Sequence, residues 1–98
     1  MLIGRVVGSV VATRKDPKLE HLKLLVVQVH DHLNRPKDQY VVAADSVAAG
    51  TGDLVLYATG SSARQTELTA ERPIDAVVMA VVDSWDIDGQ NVYEKWAS

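Results

Sequence analysis

Short runs of β-branched and other apolar residues follow one another along this chain, and no helix-length segment separates them. Ile3 to Thr13 reads I-G-R-V-V-G-S-V-V-A-T, Leu22 to Val29 reads L-K-L-L-V-V-Q-V, and Tyr40 to Ala44 and Leu54 to Ala58 are briefer runs of the same kind. Ile74 to Trp85, I-D-A-V-V-M-A-V-V-D-S-W, reads as one long buried strand, because its valine pairs and lack of polar residues at 3.6 spacing argue against a helix. Such composition suits a half-buried pleated surface. Because no helix lies between successive strands, the pattern excludes a doubly wound fold and predicts an all-β one.

The residues between the runs say where the chain turns. Gly4 and Gly8 interrupt the first run, and glycine inside a strand marks a bend, a bulge or a close backbone approach such as a barrel corner. Arg14-Lys15-Asp16-Pro17 predicts an exposed loop, His30 to Lys37 a turn, and Asp45 to Gly52 a small-residue connection. Gly60-Ser61-Ser62 predicts the start of a short helix capped by Ser61 or Ser62, with Ala63 to Leu68 as its turns and Pro73 closing the excursion. Asp88-Gly89 predicts a hairpin, with Asn91 to Lys95 as the last strand. The whole reads as a small OB-like β-barrel of five to six strands with one short helix, a single domain over residues 1–98.

Stability is the difficulty for such a chain. A domain of 98 residues buries only about 60 to 65% of its unfolded surface. With 5% aromatic residues and no Phe, its core must be Val, Leu, Ile and Ala. The cysteine count is zero, which excludes disulfides and Cys-based zinc, and three scattered histidines do not make a structural metal knot. Oligomerisation is the remaining stabiliser. A net charge of −3 with dispersed basic residues argues against nucleic acid as a partner. No apolar stretch approaches the roughly 20 residues needed to cross a bilayer, and the opening Met-Leu-Ile-Gly-Arg has no signal-peptide pattern. A cytoplasmic protein without a membrane partner is expected.

Catalysis finds little support. Ser46, Ser61 and Ser62 are the nucleophile candidates and His21, His30 and His32 the bases, but none stands in a nucleophile-elbow frame. His30-x-His32 with Asp31 or Asp45 is the sharpest metal reading, yet a solvated polar turn explains the same residues, so neither metal nor cofactor is expected. Gly50-x-Gly52 lacks the Lys-Ser/Thr of a phosphate loop and reads as a tight turn. An OB-type module that binds a nucleic acid strand or small ligand is the alternative function, but it needs aromatic platforms on a basic groove. Here Trp85 and Trp96 read as core or interface residues, and Arg64, after three small residues, reads either as solvated or as a bridge to a neighbouring chain.

Arg5-Val6-Val7-Gly8-x-Val10-Val11-Ala12-Thr13-Arg14-Lys15-Asp16-Pro17 followed by Leu22-Lys23-Leu24-Leu25 resembles the first half of the EutN/CcmL family of microcompartment vertex proteins. The likeness continues through Ala44-Asp45-Ser46-Val47, Ala49-Gly50-x-Gly52-Asp53, Gly60-Ser61-Ser62-Ala63-Arg64-Gln65, and Pro73-Ile74-Asp75-Ala76 to Val81-Val82-Asp83. The resemblance implies a non-enzymatic subunit that forms a homopentamer and caps the corners of a microcompartment shell otherwise tiled by hexameric shell proteins. A closed ring needs a heterologous interface. Gly60, Ser61, Ser62, Ala63, Arg64 and Gln65 are expected on one such face, and Arg14, Lys15 and Asp16 at the rim near neighbouring hexamers. One departure stands out. His21 occupies a position where the family commonly has Gly, and the Asp31 to Asp38 hairpin is particular to this chain.

Overall fold

A computed structural model describes residues 1–96. Its strands are β1 (Leu2–Val10), β2 (Leu24–His30), β3 (Pro36–Asp45), β4 (Leu54–Thr59), β5 (Ala76–Val81), β6 (Ser84–Ile87) and β7 (Gln90–Glu94), with 3-10 turns at Pro17–Leu19 and Gly60–Arg64. The first five close into a barrel in the order β1-β2-β3-β5-β4, antiparallel except where β3 meets β5, and β6 pairs with β7 alone. The expected all-β barrel is thus present, with five strands in the barrel and two in a separate hairpin.

The two glycines of β1 do different work. The β1–β2 register slips between Val6 and Gly8, so Gly8 sits at a bulge. Gly4 is a close approach: a Cβ there would lie 2.5 Å from Val27 Cγ1, 2.7 Å from the Gln28 carbonyl oxygen and 3.2 Å from Tyr57 Cε1. Inward side chains fill the barrel without a single Phe. Val6, Leu25, Val27, Val55, Val78 and Tyr57 do so with Ala43, Ala49 and Ala76. A second, outer cluster joins Ala44, Ala58, Ala63, Ile74 and Val77 to Leu19, Leu22, Leu24 and Met79. Three of its five buried members are alanines, which bury little apolar surface each, and at about 25 cal/mol per Å² this layer adds little stability by itself.

Several element boundaries differ from the sequence reading. β1 stops at Val10, short of Thr13, because its partner β2 begins opposite at Leu24. β3 starts at Pro36, inside the expected turn: Asp31 tightens the reversal to residues 31–35 by accepting N–H bonds from Leu33 and Arg35, and strand pairing resumes at once. The run Ile74–Trp85 is two strands. β5 follows β4 until the Val82 N–H reaches the Leu54 carbonyl, and beyond Leu54 there is no β4 residue left to pair, so the chain departs into β6. The short helix is only a 3-10 turn, Gly60–Arg64. Gly60 enters it at φ 62 with its N–H on the Asp75 carbonyl, Thr59 is the cap residue without a side-chain bond, and neither Ser61 nor Ser62 caps anything.

His21 carries φ 67, the left-handed backbone that glycine favours. The side chain therefore stands in a conformation costing about 1–2 kcal/mol for an L-residue, partly offset because glycine would lose about 0.4–1 kcal/mol more backbone entropy on folding. His21→Gly is expected to stabilise the chain by about 0.5 kcal/mol. A urea midpoint that falls for this variant would contradict that account.

Candidate assembly surface

The segment Gly60–Gln65 lies over the outer cluster. Ala63 is buried there, while Gly60, Ser61, Ser62, Arg64 and Gln65 are exposed. Arg64 Nη1 donates to the Ile74 carbonyl oxygen at 3.1 Å, which pins the side chain across its own excursion. No carboxylate stands within ion-pair distance of Arg64 among the described residues, so most of its five donors remain available to a neighbour. Thr69 braces the segment from beneath, with its hydroxyl donating to the Ala63 carbonyl oxygen and bonded to the Thr66 hydroxyl. Concavities open on both sides of the turn. One of about 500 Å³ is lined by Met1, Ala58, Thr59, Ser62, Gln65, Thr66 and Met79. The other, about 360 Å³, lies between Val41, Val42, Thr59, Gly60, Asp75 and Ala76, where β3 diverges from β5.

Arg14, Lys15 and Asp16 are all exposed on the β1–β2 connection. Lys15 Nζ donates to the Ala12 carbonyl at 2.9 Å, and Asp16 Oδ1 accepts from the Lys18 N–H to start the first 3-10 turn. The structure brings this loop next to the Gly60 excursion: Arg72 Nη1 donates to the carbonyls of Lys18 and Glu20, and Leu19 and Leu22 pack on the cluster that holds Ala63 and Ile74. The stretch from Lys18 to Leu22, just after the expected rim residues, therefore lies on the same side of the barrel as Ala63 and Ile74.

The chemical candidates do not converge. His30 is buried at the end of β2 with Nδ1 on Asn34 Oδ1 at 2.8 Å, whereas His32 is exposed in the turn. Asp31 is occupied by the N–H groups of Arg35 and Leu33. The Arg35 amide is the main influence holding its carboxyl below the usual Asp range. Asp45 accepts from the Val47 N–H and faces Lys23 Nζ at 3.9 Å. No group of three or more possible metal ligands exists among the described residues. Ser46 donates its hydroxyl to the Val78 carbonyl, and no serine bonds to a histidine among the described residues.

One surface escaped the sequence reading. Tyr40 and Val42, 56% and 49% exposed, project from the outer face of β3 beside Val26 on β2. The signal was present in Tyr40-Val41-Val42-Ala43-Ala44, a strand apolar on both faces, which means cover on both sides. Of the two tryptophans expected as core or interface residues, Trp96 at 78% exposed is not a core residue in the single chain, while Trp85 is half-buried, donating Nε1–H to the His32 carbonyl and leaning on the Tyr93 ring at 5.3 Å.

Comparison with known proteins places this geometry. The family described as ethanolamine utilisation protein EutN/carboxysome matches residues 1–83. The chain is 43% identical to the carboxysome shell vertex protein CcmL of Gloeobacter violaceus, over 97% of this chain and 95% of that one. The solved structure of Gloeobacter violaceus CcmL superposes with a TM-score of 0.93 over 97% of this chain and 98% of its own. Identity to the bacterial microcompartment shell vertex protein EutN of Escherichia coli K12 is 39%, over 97% of this chain and all of that one. A pentameric microcompartment shell protein, GrpN from Rhodospirillum rubrum, is 39% identical with a TM-score of 0.82, covering 89% of this chain and 99% of its own. The chain belongs to the EutN/CcmL family.

Proposed function

We propose that this chain is a structural subunit without catalytic activity, which closes into a homopentamer and occupies the vertices of a microcompartment shell in the cytoplasm, beside hexameric shell proteins. The observation that carries this reading is near-full-length similarity to named vertex proteins, including a pentameric one. A thin, alanine-rich outer cluster and exposed Tyr40 and Val42 support it, since both call for cover from another chain. Native mass spectrometry across a dilution series tests it. The expected species is about 53 kDa, five times the 10.7 kDa of one chain. One or two chains at every concentration would refute the ring.

Within that ring, Gly60–Gln65 forms part of one subunit face, with Arg64 supplying charge-assisted hydrogen bonds to the next copy. Bonds of this kind are worth about 1.5–3 kcal/mol. Arg64→Ala is therefore expected to weaken each interface about tenfold or more, which is about 1.4 kcal/mol. An unchanged mass profile at low micromolar concentration rules that role out. Arg14, Lys15 and Asp16 form a rim facing hexamers. Reversing Arg14 and Lys15 to Glu should leave the pentamer intact and abolish its incorporation into shells, and shells that still close would remove the rim from the account.

A further inference from the structure

The connection between β1 and β2, residues 11–23, carries the expected rim and is held to the barrel by very little. Residues 11–18 are all exposed, and of the whole connection Leu19 and Leu22 reach the outer cluster. Most of its hydrogen bonds are local. Lys15 Nζ donates to the Ala12 carbonyl, the Lys18 N–H to Asp16 Oδ1, the Leu19 N–H to the Asp16 carbonyl, the Glu20 N–H to the Pro17 carbonyl and the Leu22 N–H to the Leu19 carbonyl. Among the described residues, the hydrogen bonds that tie residues 11–22 to the rest of the chain come from a single nitrogen. Arg72 Nη1 donates to the Lys18 carbonyl at 3.2 Å and to the Glu20 carbonyl at 2.9 Å.

Those two carbonyls are the ones the local turns leave free, and basic side chains often satisfy such turn-end carbonyls. They also adjoin the strained point of the segment. His21, next to Glu20, holds φ 67, and a residue with a Cβ keeps that backbone only where its surroundings over-determine it. Here the surroundings are Arg72 on the Glu20 carbonyl before it and Leu22, packed on the outer cluster, after it. Arg72 is itself fixed from the other side: its N–H donates to the Thr69 carbonyl, and its carbonyl accepts from the Ile74 N–H. The Ile74 carbonyl in turn accepts from Arg64. A run of hydrogen bonds thus leads from Arg64 through Ile74 and Arg72 to Lys18 and, by the Lys18 N–H, to Asp16.

We propose that Arg72 is a positioning residue for the rim. By clasping the Lys18 and Glu20 carbonyls it holds His21 left-handed and sets the one shape in which Arg14, Lys15 and Asp16 meet the shell neighbour. This rests on the rim reading above. Without the clasp His21 relaxes to an extended backbone, the turn at Pro17–Leu19 leaves the barrel, and the rim spreads over many shapes. A partner then binds only the competent fraction, so its apparent affinity falls by that fraction.

Trypsin reads the clasp directly, because the carbonyl it attacks at Lys18–Leu19 is one that Arg72 holds. Its rate follows the open population of the segment. In the full-length protein, Arg72→Ala is expected to speed cleavage after Lys18 about tenfold or more, as loss of hydrogen bonds from a charged donor implies. Cleavage after Arg5, inside β1, reports opening of the barrel and should not change. His21→Gly, which adopts the left-handed backbone freely, is expected to recover part of the protection in the Arg72→Ala background. Co-assembly with hexameric shell proteins should fall in Arg72→Ala and return in part with His21→Gly, while native mass spectrometry still gives five chains. Unchanged cleavage after Lys18 overturns the clasp. Equal acceleration after Arg5 reduces Arg72 to a contributor to overall stability and overturns the positioning role. Full co-assembly of Arg72→Ala, where reversing Arg14 and Lys15 to Glu abolishes it, overturns the positioning and leaves the rim standing. Full co-assembly of both variants overturns the rim itself, and with it the role of Arg72, whatever trypsin shows.

Discussion

Gly4→Ala should cost about 3 kcal/mol, the upper end of what overpacking a core usually costs. The new Cβ would stand 2.5 Å from Val27 Cγ1 and 2.7 Å from the Gln28 carbonyl oxygen. Val27 can yield by turning its side chain, but Gln28 sits in the β1–β2 ladder opposite Arg5, and its carbonyl moves only if the barrel wall moves. Total stability of a small domain is about 5–15 kcal/mol, so the loss is a large share of it. Melting should fall by roughly 12–24 °C, at about 4–8 °C per kcal/mol for a chain of this size. Gly8→Ala is the control. A Cβ at Gly8 has no atom within 4 Å, and its backbone is not left-handed. Circular dichroism melts of the two variants should therefore differ widely. Equal melting points would mean that the close approach at Gly4 does not limit the fold.

These two glycines also show how far the sequence could be read. Both stand in one valine-rich run, and both signalled a bulge or a close approach. Which was which depended on Val27, Gln28 and Tyr57, contributed by strands much later in the chain. Local signals held where the physics is local: Asp88-Gly89 turns a hairpin because φ at both residues is positive, 53° and 76°. The end of β5 could not be read from Ile74–Trp85, since it is set by where β4 begins, at Leu54. The 3-10 turn after Gly60 was read as a helix because small residues are compatible with either, and the Asp75 carbonyl that receives the Gly60 N–H lies beyond the excursion. On the candidate site, Arg64 was legible as a lone cation after small residues. Its anchoring to the Ile74 carbonyl, and the tie from Arg72 to the carbonyls of Lys18 and Glu20, required the closed barrel. The family resemblance pointed to Gly60–Gln65 as the expected interface segment, whereas Trp96 carried no periodicity to show that its ring would be left bare.

Tyr57 supplies the other large effect, and it has two opposite signs. Its ring is the largest side chain completely inside the barrel, packed over the space that Gly4 leaves open. Tyr57→Ala empties that volume and should cost about 3–5 kcal/mol, as other buried aromatic truncations do. The hydroxyl is a different matter, because it is buried and has no hydrogen-bond partner among the described residues. Leaving such a group unsatisfied costs about 1–3 kcal/mol. Tyr57→Phe, which keeps the ring and deletes only the oxygen, should thus stabilise the chain by about 1 kcal/mol. Burial also pushes the phenol pKa above its ordinary value of 10.0. The folded state then holds the proton at a pH where the unfolded chain has released it, so this contribution is intact below pH 10 and declines as pH rises toward the folded value. The Phe variant lacks that decline, and its margin over wild type should widen from pH 8 to about pH 11. Urea midpoints at those two pH values, wild type against Tyr57→Phe, measure both effects with the remaining tyrosines and lysines common to each protein. A lower midpoint for Tyr57→Phe at pH 8 would mean that the hydroxyl has a partner in solution and that the barrel interior is less dry than its valines imply.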